Sequence, residues 1–294
     1  MPDSATIDRQ PHTVDRKSAS VGAVRTTRRY VTAAEKGGGG KSTFAVSFAG
    51  ALAEGSTRTR RGPAHRVLVV DLDPQGAATA ALGVTGGRFT IYDVLMGRAE
   101  VRDAIQPAQT PNIDVLPATE DLAGAALELP TRAGWQMTLR VILDQLDGAY
   151  DDIVIDTPPG LGVLPMVGLV AGQYVVVPVP PAFAAVRLVD KLLATVERAR
   201  TFTPDLAVLG IVPWAVGRPT LHRDEALAEM VKRWPDLILT RPNAKKPPVG
   251  IPERVAFQDA AVDGLPITAY LPSSPAAAAV RALTKEITAR GPTA

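Results

Sequence analysis

Four consecutive glycines, Gly37 to Gly40, stand between the apolar run Tyr30–Ala34 and an amphipathic stretch that opens Lys41-Ser42-Thr43. An apolar strand, a glycine loop and a helix in that order restrict the fold more than any other feature of the chain. Glycines let a loop adopt positive φ and turn successive N–H groups inward, and the N-terminus of the next helix adds partial positive charge. Such a loop is a phosphate cradle, in which the Lys41 ammonium reaches the outer phosphates and the Ser42 hydroxyl can ligate Mg²⁺. The familiar G-x-x-x-x-G-K-[ST] pattern would need glycine at position 35. The chain has Glu35 there, and a lysine, Lys36, just before the glycines. A glycine turn that binds nothing is the bland alternative, and the strand–loop–helix context argues against it.

Apolar runs and amphipathic stretches alternate along the rest of the chain, the pattern of a parallel sheet covered by helices. Strands are expected at Tyr30–Ala34, Arg66–Asp71, Ile113–Pro117, Asp152–Asp156, Tyr174–Pro178 and Val208–Pro213, with a further one near Leu237–Thr240. Val67-Leu68-Val69-Val70 and Val175-Val176-Val177 read as strands buried on both faces. Helices are expected at Lys41–Glu54, Ile91–Met96, Asp121–Leu127, Trp135–Leu146, Leu164–Ala171, Ala184–Ala199, Leu221–Trp234, Glu253–Val262 and Pro275–Ala289. The expected fold class is α/β, a single doubly wound, mostly parallel sheet over residues 30–294. Residues 1–29 show neither period and read as a basic, disordered arm, with six basic residues against three acidic ones.

Two further motifs follow the glycine loop. Residues 66–76, RVLVVDLDPQG, form an apolar strand ending in D-x-D, and period-2 alternation puts Asp71 and Asp73 on one side. Residues 151–160, DDIVIDTPPG, form a strand ending in Asp156, a Walker B pattern whose carboxylate holds a Mg²⁺ water or the Ser hydroxyl.

In order, K-G-G-x-G-K-[ST]-T over residues 36–43, D-L-D-P-Q-G over 71–76 and the D-x-P-P of residues 156–159 resemble the three motifs of the ParA/MinD family of deviant Walker A P-loop ATPases. Gly39 stands where that family usually carries a larger residue. The resemblance implies ATP and Mg²⁺ as cofactors, with Gly37, Gly38, Gly39, Gly40, Lys41, Ser42 and Thr43 around the phosphates. It implies that Asp73 orients or deprotonates the hydrolytic water and touches a water on the metal, and that the Gly160 amide senses the γ-phosphate. Asp71 supports the metal or the loop; a buried carboxylate pinning a turn is the equal alternative. Lys36 would cross to the partner subunit's ATP, so that two nucleotides are sandwiched in a homodimer.

The resemblance loosens after residue 180. Ile251-Pro252-Glu253-Arg254-Val255 is similar to the family's I-P-R-x-V tail, where the prolyl backbone, here Pro252, helps cradle adenine. Arg254 lies one place late, which weakens its transfer as a DNA contact. Arg218 is similar to another DNA-contacting arginine, and Lys245 and Lys246 lie in the basic stretch 241–254.

Composition narrows the functions. Net charge is only +2, so polyanion binding would rest on local patches such as residues 55–66, with four arginines and no acid; solvated loops are the even alternative. The absence of cysteine excludes thiolate metal sites, a Cys nucleophile and the cluster of a reductase-type relative. Prolines 158, 159, 165, 178, 180 and 181 break the longest uncharged stretch, and the alanine-rich Pro275–Ala289 buries too little to anchor on a bilayer. An arm of this length is too short for a helix-turn-helix repressor domain. The reading that remains is a partition ATPase, cytoplasmic and nucleoid-associated, that coats non-specific DNA and answers to a ParB-like centromere-binding partner. A ParA/MinD-type ATPase that positions another cargo or the division site is the alternative.

Overall fold

Apolar runs with both faces to bury need cover on both sides, and the computed structural model supplies it. It describes residues 26–35, 40–55, 65–217, 220–239, 250–251 and 255–291. Among these are strands β1 (Arg28–Thr32), β2 (Val67–Asp71), β3 (Gln106–Pro107), β4 (Ile113–Leu116), β5 (Asp152–Asp156), β6 (Tyr174–Val179) and β7 (Ala207–Pro213). They form one sheet in the order β3-β4-β2-β5-β1-β6-β7, in which every pairing but β3 with β4 is parallel. The expected doubly wound α/β class is therefore observed.

Helices lie on both faces: α1 (Lys41–Ala53), α2 (Ala77–Ala80), α3 (Ile91–Leu95), α4 (Val101–Ala104), α5 (Leu122–Glu128), α6 (Thr138–Asp144), α7 (Val163–Ala171), α8 (Phe183–Ala199), α9 (Leu221–Arg233), α10 (Val255–Val262), α11 (Ile267–Tyr270) and α12 (Pro275–Arg290). Strand alternation divides the core. Tyr30, Val67, Val69, Val154 and Val176 pack with Phe44 and Phe48 of α1 and Val280 and Leu283 of α12. Val31, Leu68, Val70, Ile153, Ile155 and Val175 pack on the other face with residues of α3 to α9 such as Leu122, Leu139, Val167 and Val189. Full burial of each large side chain contributes about 1.5–3 kcal/mol. No helix among the described residues is long and apolar enough to cross a membrane.

Several boundaries differ from expectation. β1 begins at Arg28 rather than Tyr30, which takes residues 26–29 out of the expected arm. The reason is polar anchoring: the Thr27 hydroxyl donates to the Tyr150 carbonyl at 2.7 Å, and Arg28 grips the buried Asp152 with two nitrogens. Residues 1–25 lie outside the described residues. The strand expected near Leu237–Thr240 reduces to a single bridge between Ile211 and Ile238: the Arg290 guanidinium takes the Leu209 carbonyl, and the Leu237 amide turns back to the Trp234 carbonyl; Thr240 is outside the described residues. The helix expected over Trp135–Leu146 starts as a 3₁₀ turn, Trp135–Met137, and becomes α-helical only from Thr138. The two-residue β3 and the one-turn helices α2, α4 and α11 are too short to leave a period in the sequence.

Candidate functional site

Three strands end side by side at the carboxyl edge of the sheet. Thr32 on β1, Asp156 on β5 and Asp71 on β2 are register partners. Their predecessors Val31, Ile155 and Val70 belong to the opposite core, so all three side chains share the face covered by α1.

α1 starts at that edge. Gly40, just before it, has φ 76°, and a Cβ there would stand 2.4 Å from Trp214 Nε1. Position 40 therefore requires glycine on two counts, backbone conformation and space. α1 has no side-chain cap and no acidic residue in its first turn. The partial positive charge of its dipole favours an anion at this end. Lys41 is the first helical residue and is buried, only 5% exposed. Burial pushes its ammonium below the ordinary lysine range, while Asp156 and Asp73 pull it back up.

Asp156 is wholly buried. Its Oδ1 accepts from the Thr32 hydroxyl at 3.0 Å, and its Oδ2 is buried with no hydrogen-bond partner. Burial, and then the neighbouring Asp71, push its carboxyl up to about 7, against the pull of the Ser42 and Thr32 hydroxyls and Lys41. An unsatisfied buried oxygen of this kind is costly unless something binds it.

Asp71 is equally buried but fully engaged. Its Oδ2 accepts from the Thr79 amide and hydroxyl, each at 2.8 Å, and its Oδ1 from the Asp73 amide at 3.0 Å. Burial raises its pKa and these donors oppose the shift. That geometry is the turn-pinning alternative left open by the sequence. The D-x-D alternation needs correction as well: β2 stops at Asp71, so a turn and not strand pleating sets the place of Asp73. Asp73 is half-buried, and its Oδ1 accepts from the Gln75 amide at 3.0 Å.

After β5, the Thr157 hydroxyl donates to the Thr32 carbonyl at 2.8 Å, which ties this loop to β1. Gly160 follows at φ 100° with nothing within 4 Å of a notional Cβ, so the side a Cβ would occupy is open. Gly40, Lys41, Ser42, Thr43, Asp71, Asp73, Asp156 and Gly160 thus lie on the loops and helix start at one end of the sheet. Lys36, Gly37, Gly38, Gly39, Arg218, Lys245, Lys246, Pro252 and Arg254 lie outside the described residues. Thr32, Thr79 and Trp214 support the site and were not singled out from the sequence. Only the short distance of Thr79 from D-L-D-P-Q-G hinted at any of them.

A family model described as an AAA domain matches residues 28–208. The chromosome-partitioning ATPase Soj of Thermus thermophilus is 37% identical over 264 residues, covering 90% of this chain and 96% of that protein. The chain belongs to the ParA/MinD family of P-loop ATPases. The chromosome partitioning protein ParA of Caulobacter vibrioides is 33% identical over 248 residues, 83% of this chain and 87% of that protein. Among solved structures, a Mycobacterium smegmatis protein named cobyrinic acid a,c-diamide synthase, with bound ATP analogue and magnesium, superimposes with a TM-score of 0.72. It is 33% identical and covers 88% of this chain and 93% of its own. Membership fits the geometry: the family's helix start and two strand-end aspartates are the parts that converge here.

Proposed function

We propose that this chain is an ATP-hydrolysing partition protein that binds non-specific DNA as an ATP-dependent dimer and moves plasmid, phage or chromosome cargo with a ParB-like partner. The observation that carries the ATPase reading is the buried, unpartnered Asp156 Oδ2 beside Lys41 at the uncapped start of α1. A magnesium-bound triphosphate fits this arrangement, since it brings cation and anion together to a site that has an unpartnered carboxylate oxygen and a helix start with no side-chain cap. The partition reading draws on the names of the Thermus and Caulobacter relatives.

In this reading the α1 amides and Lys41 hold the β- and γ-phosphates, and Ser42 and Asp156 hold the magnesium and its water. Bound magnesium supplies charge neutralisation at the phosphates. Asp73 orients the attacking water. The Gly160 amide meets the γ-phosphate, and Pro252 cradles the base. Lys36 reaches the partner subunit's nucleotide and makes dimerisation depend on ATP, while Arg218, Lys245, Lys246 and Arg254 contact DNA. Phosphoryl transfer to water needs positioning and charge more than covalent help, and these residues offer both.

The test is a DNA titration with ATP, ADP or no nucleotide, beside a phosphate-release assay. The expected result is sequence-indifferent, ATP-gated binding that weakens steeply with salt. Equal binding in all three states refutes the DNA switch, and ATP-gated binding to anionic vesicles in its place moves the reading to membrane positioning. Phosphate release without any carboxylic acid co-substrate separates hydrolysis from the amide synthesis for which the M. smegmatis protein is named.

A further inference from the structure

Asp73 leaves β2 at a turn, and what fixes that turn is a chain of hydrogen bonds with its origin on another strand. The Ala118 amide, two residues beyond the end of β4, donates to Thr79 Oγ1 at 3.1 Å. The same hydroxyl donates to Asp71 Oδ2 at 2.8 Å, and the Thr79 amide donates to that oxygen at 2.8 Å. Asp71 Oδ1 then accepts from the Asp73 amide at 3.0 Å. Thr79 is 3% exposed and Asp71 is fully buried, so no water competes for these bonds. Gly76 completes the turn at φ 62°, where a Cβ would come within 3.1 Å of the Ala118 carbonyl.

We infer that Thr79 is a positioning residue for hydrolysis: through Asp71 it fixes Asp73 against β4, and it touches neither nucleotide nor metal. The hydroxyl is suited to this because it is donor and acceptor at once. Valine would match its shape and lose both functions; serine would keep both. Without the hydroxyl the Asp71 carboxylate keeps only its two amide donors, the Ala118 amide loses its acceptor, and the turn that carries Asp73 loses its tie to the end of β4. A small displacement of a water-orienting group is costly in rate and leaves phosphate binding intact, because the phosphate contacts come from α1.

This inference rests on the assignment of Asp73 to the attacking water. Steady-state ATP hydrolysis and nucleotide affinity are to be measured for the wild type, Thr79→Val, Thr79→Ala and Thr79→Ser. The expected result is a kcat lower by about tenfold or more in the valine and alanine variants, with nucleotide affinity within about threefold of wild type and near-normal kcat in the serine variant. Unchanged kcat in Thr79→Val overturns the inference, as does an equal loss in Thr79→Ser. If affinity falls in step with kcat, or if both the valine and alanine variants fail to fold by circular dichroism, Thr79 serves the fold and not Asp73. If Thr79→Val behaves as expected while Asp73→Ala turns over normally, the link through Asp73 is wrong. Absence of ATP turnover in the wild type is a separate failure, that of the ATPase reading itself.

Discussion

β5 carries a buried aspartate at each end, and the two live in opposite circumstances. Asp152 and Asp156 are both fully buried on one five-residue strand. At the amino end, Asp152 accepts from Arg28 Nε at 2.7 Å and Nη2 at 3.0 Å, and His65 Nε2 sits against its Oδ2. Around it, Arg29 pairs with Asp144 and Asp147, and Asp114 Oδ2 takes both the Tyr150 hydroxyl and Arg66. At the carboxyl end, Asp156 has the Thr32 hydroxyl on Oδ1, the Ser42 hydroxyl close by and one orphaned oxygen, beside a buried lysine and a helix start with no side-chain cap. Burial of a charge therefore does not mark a site. On this strand the difference lies in the partners: both Asp152 oxygens are engaged, and Asp156 Oδ2 has none.

The difference can be broken from either end. Asp152→Ala strips Arg28 and His65 of their shared acceptor, and loss of one member of a buried pair costs about 3 kcal/mol or more of folding stability. Urea unfolding of the nucleotide-free protein measures it, and a loss below about 0.5 kcal/mol, the scale of an exposed pair, would mean that the network at this end is not structural. Nucleotide affinity of whatever remains folded is expected to be unchanged. Lys41→Ala gives the mirror image. Nucleotide affinity should drop at least about a hundredfold, equivalent to about 2.7 kcal/mol, while the unfolding midpoint of the nucleotide-free protein holds or rises, because a buried cation has been removed. Titration with a fluorescent ATP analogue reads the loss, and retained tight binding would remove Lys41 from the phosphates.

The same contrast explains what could be read in advance. Val67-Leu68-Val69-Val70 and Asp152–Asp156 announce strands because a doubly covered sheet needs continuous apolar runs, and the aspartates bound the second run on both sides. Lys41, Asp71, Asp73 and Asp156 were legible because chemistry ties them to strand and helix ends. The partners that complete the site were not. Thr32 meets Asp156 only once β1 is known to lie beside β5, although the two are far apart in the chain. Trp214 follows β7 and closes on Gly40 from there, packed edge-on against Phe44 with centroids 5.3 Å apart. Arg28 and Arg29 looked like arm residues because their acidic partners stand more than 100 positions away. Local pattern gives elements and motif-borne groups; register and tertiary contact decide which polar atoms end up satisfied.

A pH titration sharpens the contrast at lower cost to the protein. Asp156 in the folded, nucleotide-free state titrates near 7, well above the ordinary carboxylate value of about 4, so the folded state binds the proton more tightly than the unfolded one. Its contribution to stability is then complete below pH about 4 and is lost as pH rises towards about 7, with a slope of at most about 1.4 kcal/mol per unit. Asp156→Asn should flatten that fall and leave the nucleotide-free protein about 1 kcal/mol more stable than wild type at pH 8. Thermal unfolding from pH 5 to 8 without magnesium or nucleotide checks it. An identical pH profile in the variant would show that the orphaned oxygen carries no penalty.

The smallest effect belongs to the amino end. Arg29 is 5% exposed at its side chain and donates to Asp144 and to Asp147, each at 2.6 Å, and those two carboxylates are 53% and 55% exposed. Each carboxylate is well hydrated, and each leaves the guanidinium one partner when the other is removed. Asp144→Ala or Asp147→Ala alone should cost about 0.5 kcal/mol. The double variant should cost clearly more than the sum, since it leaves a buried guanidinium facing no acceptor. Strict additivity in that cycle would show that Arg29 does not depend on the pair, and would remove the redundancy that separates this end of the sheet from Asp156 with its orphaned oxygen.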